Sequence, residues 1–117
     1  VEGWNIGWDG DWYNNGDLFD FTKPMPDYDL EALGRYALSK GVRIIGHHET
    51  SANITNYENQ LGAAMDLMQK VGVRQVKTGY VADAGDAVRI DENGVRRYEW
   101  HDSQFMVRHH LKVVQEA

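Results

Sequence analysis

Ile44-Ile45-Gly46-His47-His48-Glu49-Thr50-Ser51 is the stretch whose reading decides the fold. An apolar run containing Val42, Ile44 and Ile45 ends in two imidazoles, a carboxylate and two hydroxyls. A buried parallel strand has this pattern when it delivers polar side chains into a cleft at its C-terminal end. The strand is read here as Val42 to His47.

Working outward, helical signals flank this strand. Upstream, Asp27 follows Pro26 and is read as the cap, with Asp29 and Glu31 in the first turn. Leu30, Leu33, Ala37 and Leu38 supply an apolar face, and Gly41 is a suitable stop. Downstream, Thr55-Asn56-Tyr57-Glu58 fits a capping box. Leu61, Ala64, Met65 and Met68 then continue the buried face as far as Gly72. Val73 to Thr78 reads as a second strand, broken by Gly79.

Ala84 to Arg97 is a polar excursion with a turn signal at Asp91-Glu92-Asn93-Gly94, compatible with a small hairpin. His101 to Gln115 is read as a third helix, buried through Phe105, Met106, Val107, Leu111, Val113 and Val114. At the start, Val1 to Trp12 is read as the tail of a strand running into a loop; an aromatic surface loop is the alternative. Phe19 and Phe21 flank Asp20 in a short extended segment.

Strands alternating with helices imply right-handed parallel crossovers. The expected class is α/β: a partial (β/α)8 TIM barrel of about three parallel strand–helix units, since a closed barrel typically needs ~250 residues. Three strands cut from a barrel leave open edges, and Ile44 and Val76 are expected among the exposed interior residues. Self-association of the isolated chain follows as an expectation.

The composition fits a globular domain: 117 residues, 42% hydrophobic and 26% charged. A formal net charge of -6 argues against a nucleic-acid partner. No basic run suits an anionic membrane surface, and no apolar run approaches the ~20 residues of a spanning helix. Without cysteine, disulfides and thiolate metal sites are excluded. No strand is followed by a Gly-rich phosphate loop.

Glu49 is the strongest candidate for chemistry. A carboxylate at a buried strand end beside two histidines can serve as a general base, its pKa raised by burial and lowered by a charged neighbour. Capping of the following turn is the alternative. His47 and His48 point to opposite sides of the strand, so at most one faces the site; His48 is read as structural. Lys77 is costly in its setting unless it lines a polar cleft or snorkels to the surface. Glu2, His47 with Glu49, and Lys77 form a row of polar groups at consecutive strand ends. A zinc site is disfavoured, because H-E-x-x-H is absent and His109 and His110 do not share a helix face.

The motifs V-E-G-W-N-I-G-W-D, F-D-F-T-K-P-M-P-D-Y-D, G-H-H-E-T-S, N-Y-E, V-K-T-G-Y-V and E-W-H-D-S-Q-F-M-V resemble glycoside hydrolase family 97 along nearly the whole chain. The resemblance implies that residues 1–117 are one internal fragment of that family's (β/α)8 catalytic barrel. It implies an exo-acting α-glycosidase of the α-glucosidase or α-galactosidase class, taking oligosaccharides, with calcium in the site. Glu49 matches the catalytic base of the inverting branch; Glu2, His47 and Lys77 match sugar-contacting positions. The retaining branch uses an Asp where this chain has Gly79, so the likeness is to the inverting, α-glucosidase-like branch. The general acid, a second base and the calcium-binding glutamates match nothing in this chain, so the isolated fragment is expected to be inactive. Two other classes stay open: a carbohydrate-binding or structural α/β module, and a small metal-dependent hydrolase using the histidines.

Overall fold

A computed structural model describes residues 1–8, 16–51, 54–81, 87–99 and 104–117, with side chains described at 1–8, 17–50, 54–78, 90–97 and 107–117. The elements, in order, are β1 (Asn5–Ile6), a 3-10 turn (Gly16–Leu18), β2 (Asp20–Pro24), α1 (Leu30–Ser39), β3 (Ile45–Ser51), α2 (Ile54–Lys70), β4 (Gln75–Val81), β5 (Ala87–Ile90), β6 (Arg96–Glu99) and α3 (Gln104–Glu116). Among them β3 and β4 are the parallel pair, while β1–β2 and β5–β6 are antiparallel. The described fold is therefore mixed α/β with one parallel pair, where about three parallel strand–helix units were expected. The Val1 nitrogen donates to the Ile45 carbonyl at 2.7 Å, which lays the first residues along β3.

Several boundaries differ from the sequence reading, each for a local reason. α1 is capped by Asp29, not Asp27: the Asp29 Oδ1 accepts from the Ala32 N–H at 3.0 Å. Gly41, at φ 72°, ends the helix as expected. The strand expected at Val42 to His47 begins later and runs on through Glu49 to Ser51. β4 passes through Gly79 instead of breaking there, because its parallel ladder with β3 carries the backbone past that residue. The capping box does not form as read. The Thr55 hydroxyl accepts from the Ile90 N–H at 2.9 Å, tying the hairpin to α2, and Glu58 reaches across to α3. The extended segment around Asp20 pairs with β1, and the hairpin expected within Ala84 to Arg97 is β5–β6, closed by Asp91.

Among the described residues, two buried clusters hold the structure. Trp4, Leu30, Met68, Val71 and Val73 form one, with Ile44 and Val76 packed against it. Ile44 and Val76 therefore face the helices, contrary to expectation; Ile45 is the exposed neighbour. Phe19, Phe21, Tyr57, Leu61 and Ala64 form the second cluster. Buried apolar area of this kind is the main stabilising term.

α1 packs more narrowly than its pattern predicts. Leu30 and Ala37 are buried, while Leu33 and Leu38 are exposed. Gly34 takes the contact instead: a Cβ there would collide with the Val71 carbonyl oxygen. α3 departs further, since Val107, Leu111 and Val114 are exposed and His109 is buried. The side chains of Phe105 and Met106, and the helix start expected at His101, lie outside the described residues. Among the described residues no helix is long and apolar enough to cross a membrane.

Candidate active site

β3 sorts its side chains by alternation. His48 and Thr50 lie on the side facing the helices, and His47 and Glu49 on the other. The parallel register pairs His47 with Lys77 and Glu49 with Gly79. Val76 packs into the first core cluster, so Lys77 next to it projects from the opposite face, beside His47.

Glu49 is 1% exposed, and its Oε2 lies 3.5 Å from His47 Nε2. That separation is longer than an ordinary hydrogen bond. Burial lowers the pKa of His47; Glu2 opposes this and Lys77 adds to the lowering. His47 is therefore neutral near pH 7, and its contact with Glu49 is not a charged pair. The same charges place Glu2 and Lys77, both exposed, within electrostatic reach of the imidazole. These four residues, Glu2, His47, Glu49 and Lys77, lie near one another but not at consecutive strand ends: Glu2 precedes the short β1, where the tail of a strand was expected, and His47 and Lys77 lie inside β3 and β4.

His48 belongs to the scaffold. It is fully buried, its Nδ1 lies 2.8 Å from the Tyr57 hydroxyl, and its ring meets Phe21 and Tyr57 edge-on. Burial, aided by His47, brings its pKa down to about 4, so it is neutral at ordinary pH. The Tyr57 hydroxyl is pushed up by burial and keeps its proton.

Supporting contacts were missed in the sequence. Trp4 Nε1 donates to the His47 carbonyl at 2.7 Å, anchoring β3 from the N-terminal segment. A buried Trp needs a partner for its N–H, but nothing in the sequence named this one. Trp8 Nε1 donates to Asn5 Oδ1 at 2.8 Å, and the Trp8 ring stands 6.1 Å from that of His47. Gln60 secures β2, accepting from the Phe21 N–H at 2.7 Å and donating to the Phe19 carbonyl at 3.0 Å.

His109 lies elsewhere, between α2 and α3, with Nδ1 2.9 Å from Glu58 Oε1. Lys112 donates to Glu58 Oε2 at 3.2 Å. Among the described residues, no three His, Asp or Glu side chains converge to hold a metal ion. The chemistry within reach is that of a buried carboxylate beside a neutral imidazole, flanked by an ammonium and a second carboxylate. Such a set can accept a proton and hydrogen-bond a polyhydroxylated ligand.

Comparisons with known proteins agree on one family. The glycoside hydrolase 97 family model matches residues 1–117. A solved family 97 enzyme variant from Pseudoalteromonas sp. is 57% identical over the whole chain, with a TM-score of 0.94. Structures of that organism's family 97 enzyme in complex with panose and with acarbose match at 57% identity, with TM-scores of 0.94 and 0.93 over 100% and 99% of this chain. The chain spans 18% of the length of these structures.

Proposed function

This chain belongs to glycoside hydrolase family 97, and from that premise we propose that it is a piece of the (β/α)8 catalytic barrel of an exo-acting, inverting, α-glucosidase-like enzyme. Its substrates are α-linked oligosaccharides; the panose and acarbose complexes of similar structures support that class. Glu49 is the general base, and Glu2, His47 and Lys77 hydrogen-bond the sugar.

The observation that carries the reading is the register of Glu49 with Gly79, on a face shared with His47 and Lys77. Gly79 offers no nucleophile, which leaves room for water between carboxylate and sugar. Glu49 takes a proton from that water as its oxygen attacks the anomeric carbon. A general acid elsewhere in the longer protein protonates the departing glycosidic oxygen on the opposite face. Inversion by this route needs the two carboxyls about 6.5–9.5 Å apart. Neutral His47 and the Lys77 ammonium orient sugar hydroxyls, and Glu2 accepts from one. Calcium, implied by the family likeness, is assigned to residues elsewhere in the longer protein. The described residues do not fit it, and no step here runs through a cation. Lacking the acid, the isolated chain has no appreciable activity, since acid catalysis contributes about 10²–10⁴-fold.

The test is early-time proton NMR of an aryl α-glucoside treated with the full-length protein. The β-anomer of the sugar is expected first; the α-anomer as first product overturns the inverting assignment.

A further inference from the structure

On the helix-facing side of β3, His48 Nε2 and Thr50 Oγ1 are buried polar atoms with no hydrogen-bonding partner among the described residues. Their residues are two apart on one strand, so alternation sets them side by side on one face. His48 is 0% exposed and Thr50 1%. The other nitrogen of His48 is already engaged, 2.8 Å from the Tyr57 hydroxyl, which holds the ring in place. Burying an imidazole nitrogen and a hydroxyl dry, next to each other, is a costly arrangement.

We propose that one buried water molecule sits behind β3 and bridges His48 Nε2 to Thr50 Oγ1. Water fits because it donates and accepts at once, so either His48 tautomer is served while the Thr50 hydroxyl turns to complement it. A metal ion does not fit, because the pair offers one imidazole and one neutral hydroxyl. Glu49 lies between the two residues in sequence and points the opposite way, so the water secures the strand from behind. The site stands on burial and geometry alone and does not rest on the role given to Glu49.

A high-resolution crystal structure of the full-length protein tests it. Ordered density is expected at about 2.7–3.2 Å from both atoms. A dry gap, or a polar protein group in that place, overturns the proposal. Thr50→Val and Thr50→Ser give a second readout. Removing the hydroxyl while keeping the shape strands the water and His48, so Thr50→Val lowers the melting midpoint by about 2–4 °C. Thr50→Ser keeps the hydroxyl and restores most of that loss. A Thr50→Val protein as stable as the parent overturns the bridge, because a dry orphan hydroxyl is better replaced by a methyl. Should Thr50→Val fail to fold, the crystallographic result decides alone.

Discussion

Glu49 and Gly79 are direct partners across the parallel β3–β4 pair. A buried carboxylate thus faces a position with no side chain, while one step earlier in the register His47 faces Lys77. The ladder itself sets this spacing, so the site's layout depends on the backbone of two strands more than on any loop.

Acid should loosen the scaffold through His48. Its folded pKa is about 4, against about 6.5 in an unfolded chain. Between those values the unfolded state binds a proton that the folded state refuses. Stability is therefore fully present above pH ~6.5 and falls as the pH drops toward ~4, by up to about 3 kcal/mol. Denaturant midpoints of the full-length protein at pH 7 and pH 4.5 measure the slope, which His48→Gln should flatten. An unchanged slope in that variant would assign the acid sensitivity elsewhere.

The Glu58–His109 contact should govern how α3 is held. The hydrogen bond from His109 is the main cause of Glu58's lowered pKa, with Lys112 adding to it. A depressed carboxylate pKa contributes stability above its unfolded value, and that contribution is lost as pH falls through the folded pKa. Glu58→Gln leaves His109 buried with a weaker partner, at a cost of about 1–3 kcal/mol. Hydrogen exchange should quicken in α3 while β3 stays protected. Equal acceleration in both would mean that the pair holds the whole fold and not α3 in particular.

Alone, the 117-residue chain should self-associate. Leu33, Tyr36, Leu38, Val42 and Ile45 are exposed on and after α1, and Val107, Leu111 and Val114 on α3. Where such exposed side chains adjoin, the apolar patch they make drives association. Light scattering across a dilution series should show mass rising with concentration. A monomeric mass at micromolar concentration, with cooperative unfolding, contradicts this.

The parallel pair that carries His47, Glu49 and Lys77 was legible in the apolar-to-polar runs, but β3 and β4 continue past His47 and Lys77, and Glu2 precedes β1 and ends no strand. His48 could be separated from His47 because strand alternation is strict. Other features were hidden for physical reasons. A helical period shows which residues share a face but not what covers it, so Leu33 and Leu38 were expected to be buried and are exposed. Glu58 resembled a local cap because its true partner, His109, is 51 positions away. Gly79 resembled a break because glycine weakens strands in isolation, yet the ladder with β3 overrides that preference. The anchoring of the His47 carbonyl by Trp4 spans 43 positions and has no local signature.

The central claim, that Glu49 is the catalytic base, is tested most directly by kinetics of Glu49→Gln in the full-length protein. The amide keeps the shape of the side chain but cannot take a proton from water. The expected result is a kcat lowered by about 10²–10⁴-fold, with KM changed little. A kcat close to that of the parent would contradict the assignment.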